Sequence, residues 1–401
     1  MVTSVTLFNA GMVAFFLSFL FYTIYTFSKS EKVGKLATAV AWIGIFIQGA
    51  AFVVRGIEKA KVNMVTDWTA FYKYAPFTNM YESLMLFGWT AVFLYLLFEW
   101  KYKNKAFGMF VLPLALMGEL STQILGFDEQ AQPLVPALQS NWLLFHVVTT
   151  FIGYAAAAVS AGMAYLYFCK EKDVTLGDWI YLFTFSFYII FTVILYPFRP
   201  SNSFILSVYI TGLVGVIISL FIAFLVSKTR KEGEFKFADF SGKIWGLIFF
   251  ASLILSLVVF DSGRNALLTI VISLLLSASI VGAIYLIRTK AEAFSRIIPS
   301  TDALEHIMYQ SVAVGFVFLT IGIILGAVWA KYAWGGYWSW DPKETWSLIT
   351  WLVYAAYLHA RYIKGLSGKP LAYFTIVGFL SVIFTYYGVN LIIPGLHSYA
   401  Q

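Results

Sequence analysis

The sequence predicts an all-α integral membrane protein, a polytopic bundle of about twelve transmembrane helices with both termini outside. Three observations predict it. The chain is 60% hydrophobic and only 12% charged, with a mean hydropathy of +0.80, whereas soluble domains carry about 25% charged residues. Its apolar residues form continuous runs near the roughly 20 residues that a spanning helix needs, not the alternating segments of a membrane barrel. The basic residues between the runs concentrate on alternate connections.

In order, the runs lie at 5–27, 36–54, 81–99, 107–126, 142–168, 176–197, 204–226, 244–260, 266–287, 307–330, 346–363 and 371–389. No Lys or Arg precedes the first, and it is too long for the apolar part of a secretory signal, so it is expected to stay as a span. The second follows Lys29, Lys32 and Lys35. Lys101, Lys103 and Lys105 separate the third from the fourth, and Lys170 and Lys172 close the fifth. Spans six to nine are rich in Leu, Ile, Phe and Ser, contain no histidine, and read as packing or lipid-facing helices. The tenth and eleventh flank a tryptophan-rich connection. Nineteen of the 27 Lys and Arg residues fall on the odd-numbered connections and eight on the even-numbered ones or at their edges. That bias places the N-terminus and the even connections outside. The net charge of +7 therefore reports orientation and gives no reason to invoke nucleic acid.

The whole chain, 1–401, reads as one membrane domain. Two outer connections are longer than needed. Arg55 to Met80 carries Trp68, Phe71, Tyr72, Tyr74 and Phe77 and is expected to form a helix on the membrane surface. Asp128 to Asn141 carries Pro133 and Pro136 and leads into ALQSNWLLFH, residues 137–146. On the inner side, Lys228 to Lys243 reads as a solvated loop. The single cysteine, Cys169, excludes an intramolecular disulfide or a CxxC relay and reads as a small apolar residue. Glu119 and Gln123 in span four read as packing polarity satisfied within the bundle; no chain of such groups points to a proton relay.

Six of the thirteen tryptophans lie between Trp329 and Trp351: Trp329, Trp334, Trp338, Trp340, Trp346 and Trp351. An interfacial belt needs one or two per helix end. Six, with the paired Gly335 and Gly336, read as a platform for a flat, apolar, polar-edged ligand, because indoles offer broad faces and one N–H each and glycine admits close approach. Trp346 and Trp351 fall on the following helix and also fit a belt. Asp341, Pro342 and Glu344 have a structural reading of their own: N-cap, N1 proline and the N3 acid of a capping box. Asp341 is thus first a helix cap and only second a ligand contact.

Four histidines complete the candidate set. His146, near the outer end of span five, and His397, in the tail GLHSYAQ, fall on the side of the tryptophans. His359 lies well down span eleven, and His306 at the inner entrance to span ten. A lone membrane histidine is as often a hydrogen-bonded packing residue as a functional one. Two imidazoles beside an aromatic platform match bis-histidine haem ligation; zinc is the weaker reading, with no Cys or carboxylate at close spacing.

WGGYWSWDPKETW, residues 334–346, resembles the WWD signature of haem-handling proteins. The flanking GAVWA (326–330) and TWLVYAAYLHAR (350–361), with NMYESLMLFGW (79–89) and SNWLLFH (140–146), are similar to the CcsA (ResC) family of cytochrome c biogenesis proteins. The resemblance covers about 79–170 and 300–400 and leaves 176–287 as an apparent four-helix insertion. It implies a bacterial cytoplasmic-membrane protein that moves haem b to the outer face. With a CcsB/ResB-type partner, such a protein joins haem to the CxxCH motif of apocytochrome c, a haem lyase (synthase) activity of the complex. Carried over, it implies that His146 and His397 are axial ligands at the WWD site, formed with Trp334, Trp338, Trp340, Asp341, Gly335 and Gly336. It also implies that His359 shares a second haem with the partner; His306 matches nothing. No catalytic side chain is expected from this chain, since the haem carries the reactive carbons.

Other readings are a haem-delivery protein without synthase activity and a transporter of another lipophilic substrate. The chain lacks the inverted repeat or paired Gly/Pro-broken helices of many transporters. A respiratory cytochrome subunit would hold its histidine pair within one bundle.

Overall fold

The computed structural model describes residues 3–65, 74–124, 126–198, 202–227, 236–259, 263–289, 298–393 and 395. Among the described residues run twelve long helices: α1 (Ser4–Ser28), α2 (Glu31–Val62), α3 (Met80–Tyr102), α4 (Gly108–Ile124), α5 (Asn141–Lys170), α6 (Leu176–Phe198), α7 (Asn202–Ser227), α8 (Phe237–Val259), α9 (Gly263–Thr289), α10 (Thr301–Trp334), α11 (Pro342–Tyr362) and α12 (Lys369–Ile383). A π turn, Phe384–Gly388, and the short Val389–Leu391 prolong α12. No strand occurs among the described residues. They correspond one for one to the twelve apolar runs. Eleven are long and apolar enough to cross a membrane. The twelfth, α11, has the length, 21 residues or about 31 Å, but is more polar, carrying Lys343, Glu344, His359 and Arg361.

Side-chain oxygens start several of these helices. Asn79 accepts from the Glu82 amide at the head of α3, Ser140 from Trp142 at α5 and Ser300 from Ala303 at α10. Each satisfies an amide that the helix itself leaves unpaired. Asp341 and Glu344 form the full capping box at α11.

The odd-numbered connections meet at one end of the bundle. Lys105 pairs with Glu31 at 3.1 Å, Lys369 with Asp178 at 3.0 Å and Arg361 with Glu305 at 3.9 Å, while Lys170 donates to the Ile298 carbonyl at 2.6 Å. The second, fourth and tenth connections meet at the other end. There Trp329 donates to the Ala137 carbonyl at 2.9 Å, and the Leu134 amide donates to Asn63 at 3.0 Å.

One difference from the sequence reading concerns α2. The apolar run stops at residue 54, yet the helix continues to Val62, carrying Arg55 and Lys59 with it, each 1% exposed. Glu82 of α3, fully buried, takes both cations: Arg55 Nε at 2.9 Å and Lys59 Nζ at 2.6 Å. Arg55 also donates to the carbonyls of Glu129 and Gln130 at 2.7 and 2.9 Å. Buried charge persists only when paired and hydrogen-bonded, and this set is. Of the expected surface helix, residues 66–73 lie outside the described residues.

The core is built on α5 and α10. Their backbones close at Gly153 and Gly315, where a Cβ on either would lie 3.3 Å from the other's carbonyl oxygen; small residues allow such approach between membrane helices. Helices α1 to α4 pack on one side of this pair, and α11 and α12 against it. Helices α6 to α9 pack mainly on one another, around a buried Trp245 whose indole donates to Thr184 at 2.8 Å. They join the rest through α5 and α12. Their outer faces are long rows of exposed Leu, Ile, Val and Phe, as expected of lipid-facing helices.

Candidate functional site

A cleft opens between α5, α10, the head of α11 and the end of α12, at the end of the bundle where the tryptophans lie. Its apolar wall includes Leu143, Val147, Phe151, Leu319 and Ile323, and its polar groups include Ser83, Lys343 and Asn390.

His146 borders it from the second turn of α5. Its Nδ1 lies 2.7 Å from the carbonyl oxygen of Gly322 on α10. A carbonyl only accepts, so Nδ1 carries the proton and the lone pair falls on Nε2. The ring rests on Gly326, one turn further along α10, where a Cβ would stand 2.7 Å from ring atoms. The spacing GIILG, residues 322–326, therefore supplies both the acceptor and the room. The indole of Trp329 lies nearly parallel to the imidazole, with centroids 6.4 Å apart, and meets Trp334 edge-on at 4.8 Å. Trp329 is 2% exposed and forms the inner end of the aromatic group.

Trp334 and Trp338 line the cleft with His146. The Trp338 Nε1 is buried with no acceptor among the described residues. Gly335 ends α10 in the left-handed region, at φ +83°, its amide donating to the Lys331 carbonyl. Gly336 has open space around its Cα. Trp340, 70% exposed, holds φ +59°, costly backbone for a non-glycine residue, and meets Trp338 edge-on at 5.8 Å. Asp341 is buried as the cap of α11. Gly335, Gly336, Trp340 and Asp341 thus shape the turn that carries the site without forming the cleft wall.

Trp346 and Trp351 pack between helices, not as a belt. Trp346 meets Phe384 at 4.2 Å, and the Trp351 indole donates to Thr320 at 2.8 Å.

Two of the remaining histidines lie elsewhere. His359 lies about 25 Å along α11 from its start and points out of the bundle, on one exposed face with Leu352 and Ile363. His306, at the opposite end from the cleft, is exposed and 2.8 Å from Gln310. His397 lies outside the described residues; the tail reaches the site as far as Gly395, whose Cα faces Asp341 and Pro342.

No group of three His, Cys, Asp or Glu side chains gathers among the described residues to hold a bare metal ion. A haem asks the protein only for axial ligands, a shaped apolar cavity and polar partners at its edge. The imidazole with its fixed tautomer, the apolar wall, the unsatisfied indole N–H and the polar groups fit that demand.

The sequence reading did not single out Gly322, Gly326, Lys343 or Asn390 as site residues. The GxxxG spacing was the available signal for the first two; nothing local marks Asn390, which lies 47 residues from its partner Lys343.

Comparison with known proteins gives one consistent result. The profile of the family described as "Cytochrome C assembly protein" matches residues 77–397. A protein of a Picosynechococcus species named cytochrome c biogenesis protein CcsA is 33% identical over 336 residues, 81% of this chain and 80% of its own. Proteins of the same name from Trieres chinensis and Trichormus variabilis are 31% and 32% identical; they cover 94% and 98% of this chain and 92% and 96% of their own. With a family profile matched over well over half its length and relatives above 30% identity aligned along most of it, the chain belongs to the cytochrome c assembly protein family, among its CcsA members.

Proposed function

We propose that this chain binds haem b in the cleft beneath the tryptophan cluster and presents it, with a CcsB/ResB-type partner, for covalent attachment to the CxxCH motif of apocytochrome c. The cleft lies at the outer face of a bacterial cytoplasmic membrane in this reading, supported by the basic residues gathered at the opposite end of the bundle. The observation that carries it is His146: its ring borders the cleft, its tautomer is set by Gly322, and its Nε2 carries the lone pair that iron takes.

Bound haem supplies the two vinyl groups across which the substrate's thiols add, each S–H adding to one C=C with no net redox change. The chain's own work is positional. His146 and, in this reading, His397 would hold the haem iron, and Trp334 and Trp338 would supply aromatic faces to the ring; the apolar side chains of α5 and α10 keep water out. His359 serves a separate, second haem shared with the partner, a role supported by its exposure on the lipid-facing side of α11.

The test is an absorption spectrum of the purified chain, with and without the partner, for the native protein and His146→Ala. A low-spin spectrum that the substitution abolishes and added imidazole restores is the expected result. Unaltered haem ligation in His146→Ala would sink the assignment. Covalent haem on a CxxCH peptide from this chain plus its partner alone separates synthase from simple haem delivery.

A further inference from the structure

Among the described residues that line the cleft, Lys343 is the sole Lys or Arg, and Glu344 the sole carboxylate. Glu344 is already engaged: it accepts from the Ser339 amide at 2.7 Å, the Ser339 hydroxyl at 3.1 Å and the Asp341 amide at 3.3 Å. Asp341, just outside the wall, accepts from the Lys343 amide at 3.1 Å as the cap of α11. Among the described residues neither acid lies within ion-pair distance of the Lys343 ammonium, although the Asp341 carboxylate is near enough to act on it electrostatically; its hydrogen bond is to a neutral acceptor, Asn390 Oδ1, at 2.8 Å.

Trp338 lines the same cleft, and its Nε1–H is buried with no acceptor among the described residues. An ammonium and an indole N–H are both donors only. The cleft therefore holds two donors whose hydrogen-bonding capacity the described residues leave incomplete, on a largely apolar surface where buried charge is expensive unless it is paired and hydrogen-bonded. An anionic oxygen pair answers both, and charge-assisted bonds of that type are the strong ones.

We propose that Lys343 and Trp338 Nε1 form a carboxylate-binding subsite that takes a propionate of haem and so sets how the ring lies in the cleft. This rests on the haem reading above and goes beyond it, by naming the part of the ligand recognised and the residues that recognise it. Lys343 acts here as a specificity residue: a porphyrin with free carboxylates is held, and an esterified one loses the contact.

The experiment is a spectral titration of the full-length purified chain in detergent with haem and with haem dimethyl ester, whose propionates are masked. The native protein is expected to bind haem about 10- to 100-fold more tightly than the ester, the scale of a hydrogen bond to a charged group. Lys343→Gln is expected to remove most of that preference while binding the ester as the native protein does, which also reports that the variant is folded. Lys343→Arg should keep part of the preference. Trp338→Phe, which keeps an aromatic face and deletes the N–H, should cost more for haem, severalfold, than for the ester. Equal affinity of the native protein for both ligands, or an undiminished preference in Lys343→Gln, overturns the subsite while leaving the haem reading intact. Binding of neither ligand by the folded native protein overturns the haem reading and the subsite with it.

Discussion

Nδ1 of His146 and the carbonyl oxygen of Gly322 stand 2.7 Å apart, across 176 residues of sequence and between the two helices that form the core of the bundle. The hydrogen bond ties ring orientation to α5–α10 packing, so anything that separates these helices also misaims the imidazole. A ligand's second nitrogen is commonly fixed in this way in metal sites.

Gly326 is the first place to test that tie. A methyl group there meets the imidazole at 2.7 Å, and overpacking of this kind costs about 1–3 kcal/mol. Gly326→Ala is expected to weaken haem binding about tenfold or more. Gly282→Ala, with nothing within 4 Å of its added Cβ, is the matched control and should bind as the native protein does. Titration of both variants with haem decides it; equal affinities would show that the ring has room to move.

Glu82 compensates two buried cations at once. Glu82→Gln leaves Lys59 without its carboxylate and Arg55 with only the more distant Glu58, at 3.7 Å, and breaking such a pair costs about 3–5 kcal/mol. A large fall in the unfolding midpoint in detergent is the expected result. Because Thr78, Asn79, Met80 and Ser83 line the cleft, haem occupancy should fall with it. An unchanged melting curve would mean that the ion cluster is not holding this wall.

Two substitutions at Asp341 separate its cap from any ligand contact. Asn caps a helix about as well as Asp, whereas Ala costs about 1 kcal/mol. If the cap is the residue's whole contribution, Asp341→Asn retains stability and haem binding, and Asp341→Ala loses a little of each. Loss of haem from a stable Asp341→Asn protein would give the carboxylate a direct part in the site.

The paired glycines are expected to behave differently. Gly335 needs φ +83°, so Gly335→Ala is strained by roughly 1 kcal/mol and should lower the melting temperature. Gly336 has its nearest neighbour, the Trp338 carbonyl, 3.9 Å from an added Cβ, so Gly336→Ala should leave melting unchanged. Reduced haem affinity in Gly336→Ala at unaltered stability would place the ligand against that backbone.

The helices were legible because apolar runs of spanning length have no other stable use in a membrane protein. α11 was legible despite its polarity, since Asp341, Pro342 and Glu344 announce its start. The end of α2 was not: Arg55 and Lys59 read as a loop until Glu82, from another helix, neutralises them. At the site, the tryptophans and His146 stood out by type, and the capping role of Asp341 could be derived from spacing. The ring's seat on Gly326 and the Lys343–Asn390 contact depend on how α5, α10, α11 and α12 cross, which local pattern does not encode. His359 could be placed at membrane depth but not on a face, because its direction is decided by what α10 and α12 cover.

The π turn at Phe384–Gly388 gives α12 one residue more than an α-helix of the same rise would hold. It divides the helix into two phases. Upstream, positions are chosen by the neighbouring spans; downstream, Asn390 is turned by about 100° from where an uninterrupted helix would carry it, and it reaches Lys343. The cleft can therefore be retuned from its C-terminal side without repacking the membrane half. Conversely, deleting a single residue anywhere in 384–388 would leave the span intact and rotate Asn390 away from Lys343.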